Sequence, residues 1–194
     1  LLLLLLYEYN QRFLSFLRYG TEGTPGGDKD HYSFIPKGPE SVIIALTKAM
    51  DLLKKHNPEA RDKYIAAYKF LDAGCGAGNI MLLANCLGFK VWGIERDEDT
   101  IKLAHKLLHR YNEPGRGIIK ADLVTYKDYG NYDVIYYYQP MRGKKMDLFV
   151  DALCNQTKVG AIVLAFGGGS QILKDKRFKQ HKAQYVRIYR KTKA

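Results

Sequence analysis

At 194 residues the chain is long enough for one domain with a substantial core and too short for two generous ones. Lysine plus arginine outnumber aspartate plus glutamate 31 to 20, a formal net charge of +11, which points to an acidic partner surface (nucleic acid, anionic lipid or an acidic protein face) and says nothing about fold. The three cysteines, Cys75, Cys86 and Cys154, are odd in number and show no CxxC spacing, which argues against a disulfide framework and for a reducing compartment, the cytoplasm or another.

The chain opens on Leu1 to Leu6, followed by Tyr7-Glu8-Tyr9-Asn10-Gln11-Arg12. Spanning a membrane takes about 20 apolar residues, so this run is too short, and no basic stretch precedes it as in a secretory leader. Leu2, Leu6, Tyr9, Phe13 and Phe16 recur in steps of four and three, which gives a helix one apolar face. That helix is expected to pack on the domain or on a neighbour. Peripheral contact with a membrane, or the tail of an apolar anchor, is the alternative, and because the first residue is not methionine the natural start is expected upstream. Gly20 to Asp30 holds four glycines and a proline, which is loop chemistry. Residues 1–30 are therefore read as a helix and a glycine-rich loop, and residues 31–194 as the folded domain.

His31-Tyr32-Ser33-Phe34-Ile35-Pro36 leads to Pro39, a residue suited to the first position of a helix. Val42, Leu46, Ala49 and Leu53 give that helix an apolar stripe, and Asn57-Pro58 is expected to stop it.

The stretch Phe70-Leu71-Asp72-Ala73-Gly74-Cys75-Gly76-Ala77-Gly78-Asn79 organises the rest. An apolar strand ends in a carboxylate, three glycines follow at alternate positions, and an apolar helix from Ile80 to Leu87 comes next. Glycines let the backbone take positive φ and let a ligand lie against bare main chain, and the first helical turn offers free N–H groups. The pyrophosphate fingerprint places its third glycine three residues after the second; here that position is Asn79, and the glycine comes one residue earlier. Asp72 would also repel a diphosphate and attract an ammonium group. Without a ligand the same stretch is simply a tight strand–helix turn.

The stretch resembles motif I of the class I S-adenosylmethionine (SAM)-dependent methyltransferases. The resemblance implies SAM as cofactor and S-adenosyl-L-homocysteine (SAH) as product. It implies that the loop residues Asp72, Ala73, Gly74, Cys75, Gly76 and Gly78 wrap the amino-acid end of the cofactor, and that Tyr32 to Pro36 closes over it; a plain loop leading into the helix is the alternative for that last segment.

Lys90 to Glu95 reads as the second strand, and Glu95 follows Gly78 at close to the roughly 20-residue spacing of the acid that takes ribose hydroxyls in a βαβ nucleotide site. Arg96, next to it, joins the cofactor set by the resemblance. Asp99 to Tyr111 is a helix; its His105 and His109 lack a third ligand, and no metal is expected. Gly117 to Ala121 is a third strand closed by Asp122-Leu123. The resemblance implies that Asp122 accepts from the adenine amino group and that Leu123 covers the ring. Three acids at the C-terminal ends of three strands fit one ligand carrying an ammonium, a ribose and an amine.

Tyr132 to Tyr138 is the fourth strand, running into Gln139-Pro140-Met141. Amino-methyltransferases of bases often carry Asn/Asp-Pro-Pro-aromatic here. This chain departs from that tetrad, and Gln139, whose amide oxygen can still accept from an acceptor amine, is the catalytic candidate. Period-two geometry lets at most part of Tyr136-Tyr137-Tyr138 face the site. Asp147 to Asn155 fits a helix, Ala161 to Phe166 a buried fifth strand, and Gly167-Gly168-Gly169-Ser170 a turn. From Lys174 to Lys193 lie nine lysines and arginines against one aspartate. Within that run an antiparallel pair is expected from Ile172 to Phe178 and Gln184 to Arg190, with Tyr185, Arg187 and Tyr189 on one face. Because the charges interleave with a strand pattern, the run reads as a solvated hairpin face or a dock for an acidic protein rather than a nucleic-acid tail.

The expected fold is thus α/β: a Rossmann-like, doubly wound, mostly parallel sheet with an antiparallel C-terminal strand, in three α/β/α layers, plus the N-terminal helix. Within the superfamily the chain most resembles the small non-SET protein-lysine methyltransferases that modify ATP-synthase subunits, and their prokaryotic relatives. Phe34-Ile35-Pro36, Gly88-Phe89, Gly93-Ile94-Glu95, Ala121-Asp122-Leu123 and Gln139-Pro140-Met141 carry that likeness over Phe34 to Phe166. The resemblance implies methyl transfer to an amine, with a lysine-bearing or acidic protein as partner. Methylation of nucleic acid and a SAM-binding module without catalysis are the other readings, and no residue stands out as a general base.

Overall fold

The computed structural model describes residues 31, 38–56, 68–110, 117–167, 172, 174–183 and 186–194. The expected N-terminal helix, the Gly20–Asp30 loop, the Tyr32–Pro36 segment, the Asn57-Pro58 stop, Tyr185 and residues 168–170 lie outside these. In chain order the elements are α1 (Pro39–His56), β1 (Lys69–Ala73), α2 (Asn79–Cys86), β2 (Lys90–Glu95), α3 (Glu98–Arg110), β3 (Ile118–Lys120), a 3-10 turn (Tyr129–Asn131), β4 (Val134–Tyr138), α4 (Gly143–Gln156), β5 (Ile162–Phe166), β6 (Phe178–His181) and β7 (Arg187–Lys191). None of the described helices is long and apolar enough to cross a membrane.

Apolar runs on the central strands bury both strand faces, as parallel sheets require. Successive residues alternate between two core layers: Phe70, Val134, Ile162 and Ile188 join one, and Leu71, Ile135, Val163 and Tyr189 join the other. The first layer is capped by α1 and α2, through Val42, Leu46, Ala49, Ile80 and Met81, and by Leu108 of α3. The second is capped by α4 through Met146, Phe149, Val150 and Leu153. This is the three-layer arrangement expected. α1 starts on Pro39, carries Glu40 in its first turn and Lys54, Lys55 and His56 in its last, and so follows the helix dipole at both ends. α3 is capped by Asp97, whose Oδ1 accepts from the Thr100 N–H at 2.8 Å and from its hydroxyl at 2.6 Å.

The sheet order is β3-β2-β1-β4-β5-β7-β6. The strands β1 to β5 pair in parallel, and β7 pairs antiparallel with both β5 and β6. The order reverses between β1 and β4, and ligands of open α/β sheets bind in the crevice at such a reversal, at the strands' C-terminal edge.

Three expectations change. Asp72 does not end β1 but lies inside it, opposite Gly93 on one side and Tyr136 on the other. The antiparallel partner of β7 is Phe178–His181 rather than residues 172–178, because Asp175 folds into a turn. There Arg177 donates to its carboxylate through Nε (3.0 and 3.1 Å) and Nη2 (2.7 Å). Finally, β7 has no single apolar face: held between two strands, it buries Ile188 in one layer and Tyr189 in the other.

Gly93 is where the layers come closest. A Cβ there would stand 2.5 Å from Met81 Sδ and 2.6 and 2.7 Å from Cys75 Sγ and Cβ. Overpacking of this kind costs about 1–3 kcal/mol, so Gly93→Ala is expected to lower the urea midpoint of unfolding with an unchanged denaturant slope. An unchanged midpoint would show that the loop and α2 move aside freely.

Candidate functional site

The glycine loop sits at the β1/β4 reversal. Gly74, Gly76 and Gly78 take φ of +86°, +52° and +80°, a region in which a side chain strains the backbone. The loop is pinned to β2: the Gly74 and Cys75 N–H groups both donate to the Ile94 carbonyl at 2.9 Å, and Gly76 N–H donates to Glu95 Oε2 at 3.2 Å. On its other side a Cβ on Gly74 would meet Pro140 Cβ at 3.0 Å and Leu123 Cδ1 at 3.9 Å. The turn back into α2 is closed by Gly78 N–H donating to the Cys75 carbonyl at 2.9 Å. The first-turn N–H groups of that helix have no partner within the helix.

The fold therefore gathers most of the residues picked out in the sequence. Asp72 is buried directly below the loop, 1% exposed, and its Oδ2 has no hydrogen-bond partner among the described residues. Burial pushes its carboxyl well above the usual range, and the neighbouring Glu95 charge adds to this. The same burial, with Asp72 and Glu95, raises the Cys75 thiol, so Cys75 is an inert packing residue and not a nucleophile. Glu95 is already engaged: besides Gly76 its Oε1 accepts from the Arg96 and Asp97 N–H groups at 2.8 and 3.0 Å. A carboxylate offers about four acceptor positions, so three backbone donors leave one free. Arg96 itself is exposed at the rim.

Asp122 spends Oδ1 on the Val124 N–H at 2.7 Å. Leu123 is buried beside Gly74, its carbonyl fixed by the Tyr129 hydroxyl at 2.7 Å. Ala73 is buried in the second core layer and does not reach the crevice with its side chain. Gln139 leaves β4 with φ +32°, an uncommon value for a residue with a side chain. Its N–H donates to the Phe166 carbonyl at 3.0 Å, and its side chain crosses above Gly167, where a Cβ would stand 2.6 Å from Oε1. Strained backbone of this kind costs about 1–3 kcal/mol and clusters at functional sites. Tyr136 and Tyr137 go into opposite core layers, and only Tyr138 stays partly exposed near the strand end.

One neighbour carries no local signal. His31, 5% exposed, pairs through its backbone with Met141, two residues beyond Gln139. Nothing in the local pattern marks a residue that far upstream as part of the β4 exit; only the chain's return to that strand places it. His105 and His109 lie exposed on α3, and among the described residues no group of three His, Cys, Asp or Glu is placed to hold a metal.

The buried acid has a measurable signature in the ligand-free protein. The folded state keeps a proton on Asp72 that the unfolded chain, with its ordinary value of 3.8, has lost. Between those two values folding binds protons, so this residue's contribution to stability is present at low pH and is lost as pH rises through the folded value. Asp72→Asn is therefore expected to raise the unfolding temperature at pH 8 more than at pH 5. An equal shift at both pH values would mean that Asp72 is charged throughout.

No protein-family profile matches the chain. The chain is 35% identical over 109 residues to the ribosomal protein L11 methyltransferase of Desulfosudis oleivorans, a match to 50% of this chain and 35% of that protein. It thus spans about a third of the length of that curated relative. A ribosomal protein L11 methylase structure from Lactobacillus delbrueckii subsp. bulgaricus superposes with a TM-score of 0.54 at 18% identity, over 75% of this chain and 79% of that one. An RNA methyltransferase structure from Salinibacter ruber, in complex with SAH, gives 0.53 at 19% identity, over 73% and 90%. Strand order, glycine loop and these likenesses agree: the chain has the fold of the class I SAM-dependent methyltransferases.

Proposed function

We propose that the chain binds SAM in the β1/β4 crevice and transfers its methyl group to an amine, with a protein lysine as the acceptor. The observation that carries the cofactor reading is Asp72. A carboxylate buried under a glycine loop, with one oxygen unpartnered among the described residues, suits a ligand that brings a positive amine to it and suits a diphosphate badly. The curated relative is named for a protein acceptor, which favours a protein; the lysine itself rests on the sequence resemblance alone.

When bound, SAM supplies a methyl group already activated by a positive sulfur. The residues of this chain have the simpler task of holding and aligning. Asp72 takes the ammonium end, and Glu95 offers its remaining acceptor position to the ribose while fixing Gly76. Asp122 and Leu123 line the adenine end. Gln139, on the strained exit of β4, would offer its amide oxygen to the acceptor amine after turning from its place above Gly167. Positioning two reactants and excluding water supplies a large part of the barrier reduction in such transfers, and a desolvated mouth lowers the pKa of an entering lysine.

Calorimetric titration with SAH tests the cofactor reading. Charge-assisted contacts are worth about 1.5–3 kcal/mol, so Asp72→Asn and Glu95→Ala should each weaken SAH by roughly ten- to a hundredfold. Tight NAD binding without SAH binding would overturn it. For the transfer step, Gln139→Ala is expected to cut the single-turnover rate while leaving SAH affinity within about twofold. A loss of SAH affinity equal to the loss of rate would make Gln139 a cofactor residue instead.

A further inference from the structure

The nine basic residues between Lys174 and Lys193 do not act as one run once the chain is folded. Lys191 turns inward, 3% exposed, and its Nζ donates to the Cys154 carbonyl at 2.9 Å. Arg177 is bound to Asp175 and, through Nη2, to Asn155 at 2.9 Å. Lys179 and Arg190, in contrast, are register partners on β6 and β7, and His181 pairs with Ile188. Ile188 belongs to the core layer that α1 covers, and by period two Lys179, His181 and Arg190 share its face.

That face meets the last turns of α1. Lys48, Lys55 and His56 are exposed and, at i, i+7 and i+8, share one side of the helix. The neighbouring charges that lower the two histidines are cations: Arg190, Lys55 and Lys179 for His56, and Lys179, Arg190, His56 and Lys48 for His181. Asp51, also exposed, lies between Lys48 and Lys55 on α1 and is the one acid on that side of the helix between them. The sequence separates the two halves of this cluster by more than a hundred residues; the core layer that α1 shares with Val186 and Ile188 brings them together.

We propose that Lys48, Lys55, His56, Lys179, His181 and Arg190 form a docking strip for the phosphate backbone of single-stranded nucleic acid. A row along one helix and a row along an edge strand make an elongated strip, suited to a backbone tracked lengthwise. Four strand-to-strand steps separate β6 from β1, roughly 19 Å at the usual spacing, so only an extended ligand reaches from the strip to the crevice. Protein interfaces gather aromatic and apolar residues at their centre. The exposed large apolar side chains among the described residues are Ile44, Leu103, Leu148 and Val159. Of these Ile44 borders the strip and none lies within it. Among the described residues the strip has no apolar or stacking centre, and such a strip reads phosphate charge and not sequence.

The histidines give the strip a second signature. Partial desolvation and the surrounding cations lower both from the ordinary histidine value in the free protein. A phosphate placed among them raises both, so binding takes up protons and tightens as pH falls.

The test is anisotropy of a labelled 20-nucleotide oligouridylate with the full chain, across salt and pH, beside oligodeoxythymidylate and polyglutamate of equal charge. Each phosphate contact on a single strand contributes about −0.7 to the slope of log K against log salt. The variant Lys48→Gln/Lys55→Gln/Lys179→Gln/Arg190→Gln should therefore flatten that slope by roughly 2 to 3. In the wild type, log K should rise between pH 8 and 6 by at most about one per pH unit for each histidine. His56→Gln/His181→Gln should remove the rise and keep the salt slope. Oligodeoxythymidylate should bind as the RNA does. If the fourfold variant fails to fold, Lys48→Gln and Lys179→Gln, on separate elements, should each flatten the slope by about 0.7. An unaltered slope, a pH-independent affinity in the wild type, or equal binding of polyglutamate would overturn the proposal, the last in favour of an acidic protein. The strip does not rest on the methyl-transfer reading: SAH affinity should be the same in all these variants, and failure of SAH to bind the wild type leaves the salt and pH results standing.

Discussion

The clamp on the glycine loop is the constraint that the rest of this structure depends on. Two consecutive N–H groups, of Gly74 and Cys75, converge on one carbonyl of β2, and Gly76 is tied to the Glu95 carboxylate on the same strand. From the other side the exit of β4 closes in, with Pro140 against Gly74. The loop can lie so low only because Gly93 leaves room for Met81 and Cys75. Sheet reversal makes a crevice, but these close backbone contacts decide its floor.

The clamp has an electrostatic consequence. Asp72 enters the core with β1 and is cut off from water by the loop above it. A buried unpaired carboxylate is costly in a ligand-free protein, and burial raises the Asp72 carboxyl toward its protonated form. A positive ligand group removes both the proton and the penalty. Glu95 shows the opposite design: three backbone donors hold it, so one residue both shapes the loop and offers an acceptor. The two acids, close in space, thus differ: one is buried without a partner for its Oδ2 among the described residues, and the other is held by the loop backbone.

Across the sheet the character changes. The parallel half carries buried apolar strands and the crevice, whereas the antiparallel β6–β7 edge carries cations on its α1 face. An edge strand bearing lysine resists pairing with a second sheet. Here the same charges also meet the end of α1, whose C-terminal turn is itself basic. Reaction crevice and docking strip therefore occupy different regions of one sheet, and their energetics can be separated.

The strand and helix identities were legible in the sequence because period-two and period-four apolar patterns are local. So was the order acid, glycine loop, acid, acid along three strands, since each acid follows an apolar run in its own segment. What the sequence could not decide is everything set by neighbours distant along the chain. Asp72 reads locally as a strand terminus, yet its register with Gly93 and Tyr136 puts it inside the strand and fully buried. Tyr185 to Tyr189 reads as a strand with one apolar face, yet β7 has a strand on each side and a core layer on each face. His31 reads as part of a loop, and only its bridge to Met141 brings it to the crevice. The basic C-terminal run reads as one charged face, and packing sends Lys191 inward while pairing Lys179 and Arg190 with cations from α1. Side-chain periodicity is written in the order of residues; register, sheet position and burial come from contacts between segments, and those exist only in the folded chain.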